Sequence, residues 1–484
     1  MAAPSTPSPL DRFLRLFTDV RAGEGVTAAL LSFDVLLLLS SYYILKSVRD
    51  GLILAGTSAE IKSYTNVLQV LVLVVIVPLY GKLADRVPRR RLINVVTMAF
   101  AISFAAFTSI TLDGTVVVVV FYVWVSVFGA MIIAQFWSFA NDLYAREAGE
   151  RLFPLVAFGS SLGAVVGANL AGQLAVNLGI PNLILVAVAM LAAQMLIINY
   201  IDKRERRRHE AHLPLDETTA MMTATRAVQV ERAQEMLLNF TGEPDSGSSR
   251  TNGDGEGESE LAGDGKGAFA LVLGTRYLLM IGVLTMLLNF VNTTGGYVMD
   301  SLVLETAREI ASGPAGGLSQ AEFMTAYYGS FYSVVNLIGL LTQLFLVSRI
   351  VKYLGVGVGL MILPIISLGA YGLITFVPVL GYVRWAKTAE NATDYSLNNT
   401  VRNMLFLPTT REQKYKAKQV VDSFAQRAGD TLSALLVLIG TTMIALSTSG
   451  FAIVNIAAVL IWLVVAFKVG KEYKRLADTG ETPS

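Results

Sequence analysis

Runs of about 20 apolar residues, each long enough to cross a hydrocarbon core of about 30 Å, recur along this chain with short clusters of charge between them. We read spans at 28–54, 60–81, 92–111, 115–142, 152–176 and 181–201, then at 269–299, 321–347, 354–375, 377–402, 419–445 and 449–468. Only 15% of the 484 residues are charged, against about 25% in soluble domains. The charges are also clustered, where a large soluble core would thin them evenly. The expectation is an all-α membrane protein of twelve transmembrane helices in two six-helix bundles, 28–201 and 269–468.

Lys and Arg set the orientation. They fill alternate connections: Lys82, Arg86, Arg89, Arg90 and Arg91; Arg146 and Arg151; Arg349 and Lys352; Arg411, Lys414, Lys416 and Lys418. The opposite connections read GTSAE, LDG, NLGIPN, FVP and STSG and hold neither residue, with Arg308 the main exception in a longer loop. Both termini are thus expected in the cytoplasm and the chain in the cell membrane, embedded in the lipid bilayer.

Three polar segments flank the spans. The tail 1–27 opens on MAAPSTPSPL and continues as an amphipathic turn, Leu10, Phe13, Leu14 and Phe17 opposite Arg12 and Arg15, read as an interfacial helix behind a short disordered tail. The linker 202–268 begins KRERRR, reads as helix over 215–240, and then turns Gly-, Ser- and acid-rich over 241–267, too polar to pack. Residues 469–484 form a second cytoplasmic tail.

Several chemistries are excluded. There is no cysteine, and the two histidines, His209 and His212, lie in the linker beside three arginines that repel cations. No metal site, cofactor or Ser/His/Asp constellation is expected. No phosphate-binding G-x-x-x-x-G-K-[ST] run occurs, so nothing here hydrolyses ATP. Net charge is +1, which gives no field for nucleic acid. A monomer is expected.

Polarity inside the spans is concentrated. Arg384, Lys387, Asn391, Asp394, Asn398 and Arg402 recur every three or four residues and share a helix face, with Glu390 at its margin. Each charge costs at least about 2.5 kcal/mol in hydrocarbon, so the stripe is expected to line a hydrophilic cavity. The alternative is pairing within the helix, Lys387 with Glu390. The first span carries Lys46, Arg49 and Asp50, followed by Glu60 and Lys62; Lys46 and Asp50 are spaced to pair, leaving Arg49 for Glu60 or an anionic ligand. Asn66, Gln69 and Asn292 join the substrate-site candidates; Gln135, Trp137, Asn289, Tyr328, Tyr332 and Asn336 read equally as helix–helix contacts. Gly159, Gly163, Gly167 and Ala171, four apart, make a flat face for close packing.

The run GKLADRVPRRR, Gly81 to Arg91, resembles the signature loop of the major facilitator superfamily, with Pro88 where glycine is usual. SRIVKYLG resembles a degraded copy. The resemblance implies a cytoplasmic latch of Gly81, Asp85, Arg86, Arg89 and Arg90, with Asp142 and Arg151 in the same gating role, in which Asp85 meets a helix end or an arginine in one state only.

A narrower resemblance covers nearly all of both halves. YYILKSVRDGLIL, AEIKSY, FWSFANDLYAREAGERLFPLVAFG and DYSLNNTVRNMLFLP are similar to strings of the ATP/ADP translocases of plastids and intracellular bacteria. Leu45, Lys46, Arg49 and Asp50 match their first-helix run; Phe136, Trp137, Phe139, Ala140, Asn141 and Asp142 match F-W-x-F-A-N-E; Tyr395, Ser396, Leu397, Arg402 and Met404 match the third string. The family lysine before Tyr-Ser-Leu is Asp394 here, its aspartate Asn399 and its glutamate Asn403. An anion in place of a cation repels a polyphosphate. The resemblance therefore implies a non-enzymatic secondary carrier of a nucleotide or a related, changed or smaller organic anion. Two other readings are a proton-coupled carrier titrating Asp394, Glu390 or Asp50, and a non-transporting receptor or assembly protein on the same fold.

Overall fold

The computed structural model describes residues 9–15, 18–21, 24–84, 86–87, 89–110, 114–144, 146–212, 268–312, 319–410, 413 and 417–483. The linker readings over 215–240 and 241–267, and the latch acid Asp85, lie outside them. Among the described residues all regular structure is helical: α1 (Pro9–Leu14), α2 (Gly25–Gly56), α3 (Ala59–Ala84), α4 (Arg89–Phe107), α5 (Thr115–Leu143), α6 (Arg146–His212), α7 (Ala268–Gly274), α8 (Arg276–Ser312), α9 (Gln320–Phe345), α10 (Val347–Phe376), α11 (Leu380–Thr393), α12 (Asn399–Met404), α13 (Lys418–Val420), α14 (Gln426–Thr442) and α15 (Thr448–Thr479). A π-helical turn, Asp394–Asn398, joins α11 to α12, and a second, Val421–Ala425, joins α13 to α14.

Eight helices among the described residues are long and apolar enough to cross a membrane: α2, α4, α5, α8, α10 and α15, with most of α3 and α6. The helix α6 carries two of the expected spans. Gly179, at φ 73°, breaks it inside the expected loop NLGIPN, and Pro181 restarts the chain beyond the break. A second glycine, Gly355 at φ 79°, does the same in α10. The segment SRIVKYLG, expected as a loop, is thus helical up to that break. Polar residues interrupt the apolar run of α9, while π-helical turns at their ends leave α11 and α14 at 14 and 17 residues. The first of these starts on a capping box, Ser319 accepting from the Glu322 amide while the Glu322 carboxylate accepts from the Ser319 amide.

The small-residue face of α6 packs on α2. A methyl group at Gly159, Gly163 or Gly167 would collide with the backbone of Ser32, Leu36 or Ser40 respectively. Ser32 and Ser40 hydroxyls donate to the Leu155 and Gly163 carbonyls, both at 3.1 Å. Backbones this close gain dispersion contacts that lipid cannot supply.

The N-terminal segment packs on protein. Leu14 and Val20 are buried with Ala28 and Leu152, flanked by Tyr144 and Leu155. Asp11 accepts from the Gly25 amide at 2.9 Å, and the Arg15 Nε donates to the Val20 carbonyl at 2.8 Å. The Arg151 guanidinium donates to Glu24 (3.0 and 3.1 Å) and to the Asp19 carbonyl, while Thr18 donates to the Arg151 carbonyl. The described residues among 11–25 therefore strap the start of α2 to the start of α6. Burial tends to raise the Glu24 carboxyl pKa, but the Arg151 guanidinium and the Arg21 amide outweigh it and hold it below the ordinary value.

Candidate functional site

Charge is buried where the first half (α2–α6) meets the second (α8–α15), in contacts of α2 with α9 and of α3 with α8 and α14. Lys62, on α3, is buried and bridges two carboxylates: Asp300 of α8 at 2.9 Å and Asp50 of α2 at 3.5 Å. The Tyr328 hydroxyl donates to Asp300, and the Tyr332 hydroxyl to Asp50 at 2.7 Å, both reaching from α9. Lys62 also lies over the Tyr328 ring, 4.6 Å from its centroid. Asp300, and Tyr297 which donates to Glu60, gave no signal in the sequence, since nothing local marks residues that pair 238 and 237 positions away.

The neighbouring cations differ in their partners. Arg49 does not pair with Glu60. Its guanidinium donates to Ser126, covers the Tyr122 ring at 4.6 Å, and has its Nε 3.7 Å from Asp50. Glu60 instead accepts from the Tyr297 hydroxyl of α8 at 2.9 Å. Lys46, spaced to pair with Asp50, makes no ion pair among the described residues. Its ammonium lies over the rings of Tyr332 (4.1 Å) and Tyr43 (5.1 Å), an electrostatic contact that leaves the charge unneutralised. Asn66 accepts from the Tyr122 hydroxyl at 2.8 Å, and Gln69 is half-buried further along α3.

In the second half, Lys387 and Glu390 pair at 2.7 Å, each 2% exposed. The ammonium also donates to the Asn292 side chain (2.8 Å) and carbonyl (3.2 Å). Glu390 accepts from Ser367 (3.1 Å) and Tyr371 (3.2 Å) of α10. A side chain at Gly295 would strike the Tyr371 hydroxyl, so α8 passes this cluster at backbone distance. The pairing alternative therefore holds for these two residues, as part of a satisfied network. Arg384 has no carboxylate partner among the described residues; its Nη2 donates to Ser330 at 3.0 Å and its guanidinium lies 5.2 Å from the Tyr327 ring centre. Asn391 is buried with its Oδ1 unbonded, and Asp394 accepts from Asn398 at 2.7 Å. Arg402 reaches Asp422 at 4.0 Å.

Of the latch residues, Gly81 lies in α3, Arg86 and Arg90 are exposed, Arg89 opens α4 and Asp142 is exposed near the end of α5. Arg151 serves the N-terminal strap. The residue Trp137 borders a cavity of about 660 Å³ with Asn141, Tyr144, Phe153 and Pro154. A second, of about 690 Å³, is lined by Glu60, Ser301, Glu305 and Arg308, next to the Lys62–Asp300 bridge.

The profile of the Major Facilitator Superfamily matches residues 26–388, and that of the TLC ATP/ADP transporter family matches residues 379–473. ADP,ATP carrier protein 2 of Chlamydia pneumoniae is 21% identical, over 91% of this chain and 88% of the relative. ADP,ATP carrier protein 2 of Chlamydia trachomatis serovar D is 22% identical, over 90% and 86%. Among solved structures, an auto-inhibited POT family peptide transporter superposes with a TM-score of 0.59 at 13% identity, covering 93% of this chain and 97% of that one. A bacterial homologue of the iron transporter ferroportin in its inward-facing state gives 0.58 at 14%, covering 92% and 98%. These likenesses show the fold. The chain belongs to the major facilitator superfamily of multi-pass membrane transporters and, within it, resembles the ATP/ADP transporters.

Proposed function

We propose that this transporter carries a nucleotide or related organic anion across the cell membrane by alternating access, with twelve spans in two six-helix bundles and both termini in the cytoplasm. One observation carries the reading: each half contributes a half-buried cation, Lys46 and Arg384, that has aromatic rings but no carboxylate against it among the described residues. A desolvated cation without a counter-anion is costly, and an anionic cargo supplies the missing charge. Both cations rest on α9, between Tyr327 and Tyr332, a stretch of about 7.5 Å along the helix axis. Arginine suits a phosphate or carboxylate through its planar fork, and lysine acts as a point charge.

Alternating access is supported by where the halves touch. Lys62–Asp300 and Glu60–Tyr297 join them near the Arg- and Lys-free connections, as does the Gly172–Gly329 backbone contact. A carrier closed at that end opens toward the other. The ADP,ATP carriers among its relatives name the cargo class to test first. Uptake of labelled ADP and ATP into proteoliposomes is expected for the parent and lost in Lys46→Ala. Folded, reconstituted parent protein that takes up neither nucleotide, and no other organic anion, would overturn the reading.

A further inference from the structure

Arg349 and Lys352, in the first two turns of α10, are exposed and make no ion pair among the described residues. No Asp or Glu occurs between Glu322 and Glu390, so α9 beyond its first turn and all of α10 lack a carboxylate to meet them. Lys352 borders a cavity of about 400 Å³ where the end of α9, the start of α10 and α12 come together. We propose that this cavity holds the headgroup of an anionic phospholipid, in the leaflet on the side of the Arg- and Lys-bearing connections.

The lining is divided as such a molecule is divided. Lys352, the Ser348 and Thr400 hydroxyls and the Gln343 amide offer donors to a phosphodiester, while Val351 and Met404 offer an apolar side to the glycerol esters and the first methylenes. Gln343 and Thr400 meet across α9 and α12 at 3.4 Å, a long bond that leaves the amide free to turn to a phosphate oxygen. The start of α10 adds the positive end of a 30-residue helix whose N-cap makes no side-chain bond.

The surroundings decide between a lipid and a dissolved anion. Leu344, Phe345 and Leu346, consecutive at the junction of α9 and α10, are each at least half exposed, and so are Tyr353, Leu354 and Leu407. Three consecutive residues point in different directions about a helix, so this end presents apolar surface all round, which hydrocarbon covers and water does not. The Lys352 ammonium lies 5.5 Å from the Tyr353 ring centre. A tyrosine beside a lysine suits a membrane–water boundary, where the ring stays in the interface and the charged head reaches the phosphates. The bias of Lys and Arg toward one side of the membrane accounts for the sign of Arg349 and Lys352. It does not account for a cavity that sets three further donors beside one of them.

The test involves no cargo, so the site stands or falls apart from the transport reading. Native mass spectra are taken of purified protein given phosphatidylglycerol or phosphatidylcholine with the same acyl chains. The parent is expected to retain one phosphatidylglycerol and to release phosphatidylcholine at the same collision energy. Lys352→Ala is expected to weaken phosphatidylglycerol binding by about fivefold, the share of one interfacial cation. Met404→Trp, which keeps both cations and fills the cavity, is expected to abolish it. Lys474→Ala, with the same loss of charge on the exposed end of α15, is expected to leave it unchanged. Equal binding in Lys352→Ala and the parent overturns the proposal, and so does an equal loss in Lys474→Ala, which marks diffuse attraction to basic surface. Glycerol 3-phosphate, which carries the phosphate without the chains, is expected not to compete at matched concentration; competition makes the occupant a dissolved anion and overturns the lipid.

Discussion

Lys62 of α3 and Asp300 of α8 stand 2.9 Å apart across the junction of the two halves, and Asp50, from the same half as Lys62, lies 3.5 Å from the same ammonium. The lysine thus has a partner on each side. On the alternating-access proposal, parting of the halves leaves Lys62 with Asp50 and Asp300 with the Tyr328 hydroxyl.

Removing the lysine leaves buried Asp300 with no cation among the described residues and leaves Asp50 with Arg49 alone, at 3.7 Å. Lys62→Met is expected to lower stability by about 3–5 kcal/mol, the range for breaking a buried pair from one side. Asp300→Asn leaves Lys62 with Asp50 and is expected to cost less. Thermal unfolding of the two purified variants against the parent checks the order.

Gly329 and Gly172 meet backbone to backbone, so a methyl group at Gly329 falls on the Gly172 main chain. Gly329→Ala is expected to pry the halves apart at that end and shift the population away from this conformation. The chain has no cysteine, so a single Ser301→Cys in the adjoining cavity reports directly. Its labelling by a membrane-impermeant maleimide should speed up in the alanine variant.

Arg384 donates to Ser330 and lies over Tyr327 rather than holding a carboxylate. Arg384→Ala is therefore expected to fold normally and to lose about 1.5–3 kcal/mol of affinity for an anionic cargo, the range for a charge-assisted hydrogen bond. Arg384→Lys should restore part of it. Melting temperature and ADP affinity on one preparation separate a binding role from a structural one.

The Glu24–Arg151 pair predicts an acid-dependent contribution. Glu24 has a lowered folded pKa, so its stabilisation is fully present above the ordinary carboxylate value of 4.5 and fades as pH falls through the lower folded value. Glu24→Gln is expected to cost about 0.3–1 kcal/mol at neutral pH, since solvent screens a partly exposed pair. It should match the parent once both are acidified below that window. Denaturant unfolding at the two pH values checks it.

Much of the fold was legible because the membrane imposes a length and an alternation of charge that short sequence windows record. The glycine face at Gly159, Gly163 and Gly167 was readable for the same reason: it repeats at helical spacing. Lys387 with Glu390 lies within one turn and was also visible. The Lys62 bridge was not. Its partner is far along the chain, and helical spacing favoured Lys46 with Asp50, a pair the structure replaces with tyrosine rings. The partner of Arg151 was not legible for a related reason, since a basic residue in a loop does not reveal that its guanidinium meets the carboxylate of Glu24.

The strap at residues 11–25 is clamped to Arg151, and just beyond it α6 lies flush on α2 through three glycines. The described residues of the strap, α2 and the first part of α6 thus form one continuous line of contacts along the helix that carries Lys46 and Arg49, so on the anionic-cargo proposal a displacement of the strap is felt at those two cations as a lever arm's is.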